Sequence, residues 1–197
     1  MCIRDRLTIE YDGKNFNGWQ KQKNMKTVQG IIEESLFKFS GKKITIYGAG
    51  RTDTGVHASG QVAHFDIEES GLEDKSSKLG KLTMGVNFYL SRLSDNRVSI
   101  LETKKVTDEF HARFSAKGRK YKYSILNRRT PSPLLKDKTW RIPIPLDVQL
   151  MKNAAKHLIG KHDFTAFRSV DCQANSPVKT IDNITIKKDG ELIEIYV

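Results

Sequence analysis

The sequence predicts an α+β fold made of two similar halves, each a mainly antiparallel sheet backed by helices. Segments in which apolar and polar residues alternate, as in half-buried strands, are interleaved with helical patterns along the chain. They lack the regular strand and helix alternation of a parallel, doubly wound sheet. We expect the first half at residues 1–106 and the second at residues 107–197, the second being incomplete at its end.

The first half begins with a predicted strand at residues 7–11, which the turn-forming pair Asp12-Gly13 closes. A helix is expected between Thr27, a suitable N-cap, and Gly41, a suitable stop, because apolar residues recur there at three- and four-residue spacing. The remaining expected elements are strands at 44–47 and 61–67, a solvated connection at 68–77, a helix at 78–90 and a strand at 97–106. The segment between the strands at 44–47 and 61–67 is thus a strand-to-strand loop.

The second half is predicted to begin with a strand at residues 118–126, followed by a proline-rich loop and a helix at 147–159. Strands at 180–187 and 191–197 would then form a hairpin around the turn Lys188-Asp-Gly190. Alternation continues up to Val197, so we expect the natural protein to continue beyond it.

Charge and composition narrow the range of partners. The 197 residues include 34 Lys and Arg against 23 Asp and Glu, a net charge of +11, which favours a polyanionic partner such as nucleic acid. Nine of these cations and one acid lie between Lys117 and Arg141, so the excess forms a local patch. Apolar runs fall short of the roughly 20 residues of a membrane span, and Cys2 and Cys172 have no metal-ligand spacing. We expect a cytoplasmic protein with no membrane contact.

The stretch YGAGRTDTGVH, residues 47–57, places a single acid, Asp53, between glycines and shortly after Arg51. A free carboxylate is ionised at neutral pH and can act as a nucleophile or cation stabiliser without an activating base. Arg51 would share its face in an extended segment and could orient it. Alternatively, Asp53 bonds nearby backbone N–H groups in a tight turn, which the spacing alone favours. Four glycines among residues 48–60 weaken that alternative, because they let a large ligand approach the backbone.

Nucleotide and metal motifs fit this stretch poorly. The third glycine of G-x-G-x-x-G falls on Asp53, a strand follows instead of a helix, and the GK[ST] ending of a phosphate loop is missing. His57, His64 and Asp53 do not have the spacing of a common metal motif, and His64 is expected to be a packed or surface residue of a strand. We therefore predict neither a dinucleotide nor a metal.

The basic patch contains a second candidate site, Arg119-Lys-Tyr121-Lys-Tyr123. In a strand, both tyrosines face one way and Lys120 and Lys122 the other, an arrangement that suits stacked bases and nearby phosphates of unpaired RNA. We assign Tyr123 to the core and Tyr121 to function. Arg113 is either a surface ion-pair partner or a phosphate contact.

Five motifs in order then carry a family resemblance: Tyr11-Asp-Gly with Gly18-Trp-Gln20 and Thr27-Val-Gln29; Gly50-Arg-Thr-Asp-Thr-Gly-Val-His-Ala58; Phe110-His-Ala-Arg-Phe-Ser115; Arg119-Lys-Tyr-Lys-Tyr123; and Asp163-Phe-Thr-Ala-Phe-Arg168. Together they closely resemble the tRNA pseudouridine synthase A family, in order from about residue 7 to residue 197. Two departures are the missing family segment after Val197 and an unusual start at residues 1–6.

The resemblance implies a cofactor-free isomerase with the pseudouridine synthase fold, which converts uridines at positions 38 to 40 in the anticodon arm of tRNA to pseudouridine. Asp53 would be the nucleophile, attacking the ribose C1′ or the uracil C6. Tyr121 would stack on the flipped uracil and help to remove a proton, and Arg51 would aid flipping or orient Asp53. RNA contacts are expected from the remaining candidates, His57, Arg113, Arg119, Lys120 and Arg168.

The resemblance also implies a homodimer in which tRNA spans both subunits across basic clefts. Two other functions remain open at this point. A non-catalytic RNA-binding protein, or an inactive fragment that still binds tRNA, would use Asp53 only as a turn residue. A metal-dependent nuclease or phosphotransfer enzyme would need clustered acids or a P-loop, and neither is found in the sequence.

Overall fold

A computed structural model describes residues 2–68, 75–168 and 176–197. The chain divides into two compact units, unit 1 at Met1–Lys117 and unit 2 at Gly118–Val197, and each is described by itself. Both combine strands and helices, which confirms the mixed α+β class.

Unit 1 contains one antiparallel four-stranded sheet and two helices. Its strands are β1 (Cys2–Tyr11), β2 (Tyr47–Gly48), β3 (Ala58–Glu68) and β4 (Val98–Val106), in the spatial order β2-β3-β1-β4. The helices are α1 (Val28–Ser40) and α2 (Lys75–Leu93). Strand β1 therefore lies in the interior of the sheet, paired with β3 on one side and β4 on the other.

One apolar core joins the sheet of unit 1 to its two helices. Alternate positions of β1, such as Leu7 and Ile9, are fully buried. They belong to the same cluster as Ile32 of α1 and Leu90 of α2. Burying each such side chain contributes about 1.5–3 kcal/mol relative to leaving it in water. The apolar residues that alternate along β1 thus lie on the face of the sheet that packs against the two helices.

Helix α1 confirms the predicted capping signals. The Thr27 hydroxyl accepts a hydrogen bond from the Gly30 N–H at 3.3 Å, and Gly41 ends the helix with a φ of 71°. Helix α2 is longer than predicted, so residues 75–77 are helical and not part of a connection. The rest of that predicted connection, residues 69–74, lies outside the described residues.

The predicted strand at residues 44–47 is wrong, since only Tyr47 and Gly48 pair with β3. Ile46 is buried in the core, but side chains of α1 bind its backbone groups. Its N–H donates to the Glu33 carboxylate at 3.2 Å, and its carbonyl accepts from the Gln29 amide at 3.1 Å. These bonds replace the strand neighbour that the pattern led us to expect.

Unit 2 contains a four-stranded sheet, a two-stranded sheet and one α-helix. The larger sheet has β5 (Lys122–Leu126), β6 (Trp140–Arg141), β9 (Thr185–Asp189) and β10 (Leu192–Tyr196), in the order β6-β5-β10-β9, with only the β5–β6 pair parallel. Strands β7 (Gly160–Asp163) and β8 (Val178–Ile181) form the smaller sheet. Helix α3 (Val148–Ala155) contributes Ala155 to a core with Ile125, Ile186 and Ile193.

Several boundaries in unit 2 differ from the predictions. The predicted helix at 147–159 ends as an α-helix at Ala155 and continues as a 3-10 turn at Lys156–Leu158. The predicted strand at 180–187 is two strands, β8 and β9. The hairpin is confirmed, and Gly190 in its turn has a φ of 55°. Strand β5 begins later than predicted, although the Tyr121 backbone still pairs with Val197 through two hydrogen bonds of 2.8 and 2.9 Å.

Within the described ranges, no helix has the length and apolar character needed to cross a membrane.

Strand β1 carries a buried acid, Asp5, on the face that also carries Leu7 and Ile9. Asp5 is only 4% exposed, and its Oδ1 has no hydrogen-bond partner among the described residues. Burial raises the pKa of the Asp5 carboxyl to about 6, while Lys105 on the neighbouring strand opposes the shift. The ionised form of Asp5 therefore destabilises the folded state.

We expect Asp5→Asn to stabilise the protein at neutral pH but not in acid. The folded-state pKa exceeds the unfolded one, so the cost of the charge is absent below about pH 4 and complete above about pH 6, reaching at most about 3 kcal/mol. Urea unfolding between pH 4 and 8 should show a stability difference that grows with pH. Asp66→Asn is the control. Arg4 holds the pKa of Asp66 low, so loss of the Asp66 charge should destabilise the protein at neutral pH. A pH-independent gain for Asp5→Asn would contradict the prediction.

Candidate active site

The loop at residues 49–57, here called the Asp53 loop, connects β2 to β3 as predicted. The Asp53 carbonyl accepts a hydrogen bond from the Val56 N–H at 3.2 Å, and Gly55 in this turn has a φ of 80°. The Asp53 side chain is exposed, and none of the described residues donates a hydrogen bond to its carboxylate. The turn thus uses the backbone of Asp53, and its carboxylate faces solvent.

Hydrogen bonds hold the backbone just before Asp53. The Trp19 N–H donates to the Thr52 carbonyl at 3.0 Å, and the Tyr11 hydroxyl is bonded to Thr52 Oγ1 at 2.8 Å. The Gln61 amide of β3 donates to the Gly50 carbonyl at 2.9 Å. Burial raises the pKa of Tyr11, so its hydroxyl stays neutral. The residue before Asp53 is therefore tied to both β1 and the segment around Trp19.

Three glycines allow the close packing around the Asp53 loop. A Cβ on Gly13 would lie 2.0 Å from the Val56 carbonyl oxygen, and one on Gly18 would lie 2.6 Å from the Thr52 carbonyl oxygen. Gly18 also has a φ of +78°, which L-residues rarely adopt. A Cβ on Gly48 would lie 2.6 Å from Trp19 Nε1. The glycines thus let two backbone segments and an indole ring touch without side chains between them.

His57 closes the other end of the loop beside an acid. Its Nδ1 lies 3.2 Å from the Gly13 nitrogen and 3.0 Å from Asp12 Oδ1. An unprotonated Nδ1 accepts from the Gly13 N–H, whereas a protonated one donates to Asp12. Arg97 Nη1 binds the other oxygen of Asp12 at 2.8 Å. His57 is therefore packed into an ion cluster at the base of the loop.

Arg51 is exposed, and its Nε donates to Gln20 Oε1 at 3.1 Å. No ion pair joins Arg51 to Asp53, both of which are described residues. The sequence predicted that Arg51 aids flipping or orients Asp53. In the structure, the Nε–H hydrogen bond of Arg51 joins it to Gln20 of the motif Gly18-Trp-Gln20.

Arg113 lies in a separate loop at residues 110–115, which packs against His64 of β3. The Ala112 N–H donates to His64 Nδ1 at 3.2 Å, and the rings of His64 and His111 are 4.6 Å apart. His64 is buried, as a packed histidine, and burial lowers its pKa. Arg113 is exposed, and no carboxylate of the described residues lies within ion-pair distance of it. This leaves its guanidinium accessible to a phosphate.

In unit 2, Tyr121 is 49% exposed and Tyr123 is 61% exposed. The assignment of Tyr123 to the core is therefore wrong. Tyr123 lies two residues before Ile125 on the same side of β5, but outside the apolar cluster that buries Ile125. The core of unit 2 covers only part of that face, and both tyrosines lie beyond it.

The remaining basic candidates of unit 2 are exposed. Lys120 Nζ lies 5.7 Å from the centre of the Tyr196 ring, and the neighbouring Lys122 binds Glu194 at 2.9 Å. Arg119 lies just before them. Arg168 follows a 3-10 turn at Thr165–Phe167, and its N–H donates to the Thr165 carbonyl at 3.0 Å. Among the described residues, no group of three or more His, Cys, Asp or Glu could hold a metal ion.

Four residues that support the loop were not predicted from the sequence, namely Tyr11, Asp12, Gln20 and Arg97. Three of them lie in motifs that carry the family resemblance, Tyr11-Asp-Gly and Gly18-Trp-Gln20, but no pattern in one sequence shows that these motifs contact residues 50–57. Arg97 carried no signal at all, since it lies at the end of an ordinary strand prediction.

Comparisons with known proteins identify the family of this chain. A model of the tRNA pseudouridine synthase family matches residues 7–115 and 154–197. The tRNA pseudouridine synthase A of Wolbachia pipientis is 47% identical over 196 residues, covering 99% of this chain and 76% of the relative. Those of Bartonella henselae and Sinorhizobium fredii are 47% and 49% identical, each covering 98% of this chain and 75% of the relative.

This chain belongs to the tRNA pseudouridine synthase family, whose members are isomerases. It spans about three quarters of the length of these relatives.

We expect Gly18→Ala to displace the Asp53 loop. The new methyl group would lie 2.6 Å from the Thr52 carbonyl oxygen, and main chain must move to relieve the clash. Gly41→Ala is a matched control, because Gly41 has a similar φ of +71° but a Cβ added there would meet nothing within 4 Å. Gly41→Ala should lose about 1 kcal/mol of unfolding free energy through backbone strain alone, and Gly18→Ala should lose more because the clash adds to the strain. Only Gly18→Ala should shift the amide NMR signals of residues 50–56. Equal shifts in both variants would contradict the prediction that Gly18 positions the Asp53 loop.

Proposed function

We propose that this protein isomerises uridine to pseudouridine in the anticodon arm of tRNA, at positions 38 to 40, with Asp53 as the nucleophile. The observation that carries the proposal is an exposed carboxylate on a loop whose backbone is fixed from several sides. A turn residue would use its carboxylate to bind neighbouring N–H groups, and Asp53 does not. This supports catalysis over the purely structural alternative.

The chemistry requires a carboxylate, a retained base and a moved proton. Asp53 would attack the ribose C1′, and the glycosidic bond to N1 of uracil would break. The free uracil would rotate in place and rejoin C1′ through C5 as the bond from Asp53 to C1′ breaks and the carboxylate is released. The C5 proton is lost and N1 gains one. No net oxidant or reductant is needed, because the product is an isomer of the substrate.

A fixed loop backbone suits this reaction. A nucleophile held near the attack geometry avoids the entropic cost of ordering it in each cycle. Tyr11, Trp19 and Gln61 provide that order for the Asp53 loop before substrate arrives. The flipped uridine costs a few kcal/mol of lost stacking, which contacts to the tRNA backbone would offset.

The exposed aromatic and basic side chains fit the remaining roles. Tyr121 would stack on the flipped uracil, with half of its surface available for it. Arg113, Arg119, Lys120 and Arg168 would contact tRNA phosphates, and Arg51 would help to flip the nucleotide or orient the site. His57 would act mainly by holding the loop through Gly13 and Asp12. The family resemblance further supports a homodimer acting in the cytoplasm.

We expect Asp53→Asn to abolish pseudouridine formation while tRNA affinity stays within about threefold, since the amide is isosteric but a poor nucleophile. Release of tritium from tRNA labelled at C5 of uridine measures the reaction, and filter binding measures affinity. Asp95→Asn, at another exposed aspartate of unit 1, is the control and should retain full activity. Turnover by Asp53→Asn would refute the nucleophile assignment. Binding without turnover by the unmodified protein would favour the non-catalytic RNA-binding alternative.

We expect Arg113→Gln to weaken tRNA binding and to make it less sensitive to salt. Each lost phosphate contact reduces the slope of log K against log salt by about 0.7 to 0.9. Arg92→Gln is the matched control, because both are exposed arginines of unit 1 that lie over a phenylalanine ring, Arg113 over Phe114 and Arg92 over Phe88. Binding isotherms from 50 to 300 mM salt give the slopes. An unchanged slope for Arg113→Gln would show that Arg113 makes no phosphate contact.

A further inference from the structure

A series of polar side chains connects the Asp53 loop to helix α1. Arg51 Nε donates to Gln20 Oε1 at 3.1 Å, and Gln20 Nε2 donates to Gln29 Oε1 at 2.9 Å. Gln29 Nε2 in turn donates to Glu33 Oε1 at 3.0 Å. We call the three residues Gln20, Gln29 and Glu33 the amide relay. It leads from a buried carboxylate to an exposed arginine beside the proposed nucleophile.

The direction of every bond in the amide relay follows from its buried end. Ionised Glu33 only accepts hydrogen bonds, so the Gln29 amide group must turn its NH₂ towards it. The Ile46 carbonyl, which also accepts from Gln29 Nε2 at 3.1 Å, fixes the same orientation. Gln29 therefore presents its oxygen to Gln20, and the Lys21 N–H also donates to that oxygen at 2.9 Å.

Gln20 consequently has only one useful orientation. Its NH₂ must face the Gln29 oxygen, which leaves its own oxygen to face Arg51. A flipped Gln20 would bring two oxygens together at one end and two groups of donors together at the other. The buried Glu33 carboxylate thus determines, through Gln29, that the Gln20 side-chain oxygen faces Arg51.

Burial makes this orientation hard to reverse. Gln29 is 6% exposed and Glu33 is 7% exposed, so an unpaired amide or carboxylate there would be costly. Lys21 Nζ binds the second Glu33 oxygen at 2.7 Å, and the Ile46 N–H binds the first at 3.2 Å. Every polar atom of the buried end has a partner in the orientation described.

We propose that Gln20 is a positioning residue for Arg51, with its orientation set by Glu33 through Gln29. Gln20 does not touch the reacting atoms; it presents an acceptor that holds the Arg51 guanidinium next to the Asp53 loop. The inference rests on the proposed function for the role of Arg51 in catalysis, but the contact itself can be tested without any activity.

Two variants at one position separate positioning from stability. Gln20→Met removes the acceptor of the Arg51 Nε–H and leaves Gln29 bonded to the Lys21 N–H. Gln20→Glu keeps an acceptor for Arg51, but places its other oxygen against the Gln29 oxygen, which cannot turn away. Gln20→Glu should therefore be the less stable variant in thermal unfolding and the better one in positioning Arg51.

The expected activity order is the reverse of the stability order. We expect kcat to fall about tenfold or more in Gln20→Met, the usual effect of losing a hydrogen bond to a charged group, and to stay within about threefold in Gln20→Glu. The Kd for tRNA should change little in either. A purely structural role for Gln20 would make activity follow stability, with Gln20→Glu the poorer enzyme.

The contact has a direct spectroscopic readout in the free protein. In ¹⁵N NMR spectra, the Arg51 Nε–H should exchange slowly with solvent in the unmodified protein and in Gln20→Glu, and several-fold faster in Gln20→Met. The proposal would be overturned if Gln20→Met left both the Arg51 Nε–H exchange rate and kcat unchanged. It would also be overturned if Gln20→Glu had both a lower kcat and a lower thermal stability than Gln20→Met. An unmodified protein without turnover but with the expected exchange pattern would instead refute the proposed function and leave the positioning contact supported.

Discussion

The site depends on the main chain at Gly18 and Trp19, which is bonded on two sides at once. Their carbonyls accept from the Val28 and Gln29 N–H groups at 3.2 and 3.0 Å, which satisfies donors in the first turn of α1. The Trp19 N–H donates in the opposite direction, to the Thr52 carbonyl. The start of the helix and the residue before Asp53 are thus positioned by the same two peptide units, and neither can move without the other.

Around these peptide units, the molecule separates a rigid backbone from an accessible side chain. Close contacts at Gly13 and Gly18 and the hydroxyl bond of Tyr11 fix the course of residues 52–56, whereas the Asp53 side chain is exposed and its carboxylate takes part in none of these contacts. A site that must admit a whole nucleotide needs this division, because contacts that immobilised the carboxylate itself would occupy the space of the ribose. The supporting groups therefore lie in β1, in β3 and in the segment at residues 13–19.

Much of this could be predicted from the sequence, and the failures have physical causes. Helix α1 was predictable because Thr27 and Gly41 act locally, and the Asp53 loop was recognisable from its own residues. The strand at 44–47 failed because Glu33 and Gln29 bind the Ile46 backbone, which is a long-range effect. Tyr123 was misassigned because alternation reveals the face of a strand but not how far the core extends along it. Supporting contacts such as Arg97 with Asp12 join residues far apart in the sequence, which periodicity cannot reveal.

The close approach of Gly48 to the Trp19 indole also limits how such a protein can diverge. A larger residue at position 48 would require a smaller ring at position 19, and a smaller ring would loosen the peptide units that hold both the helix and the loop. Single changes at either position are thus unfavourable as intermediates, and drift would have to occur by paired replacement. Among distant homologues, the residues at positions 19 and 48 should change together or stay the same.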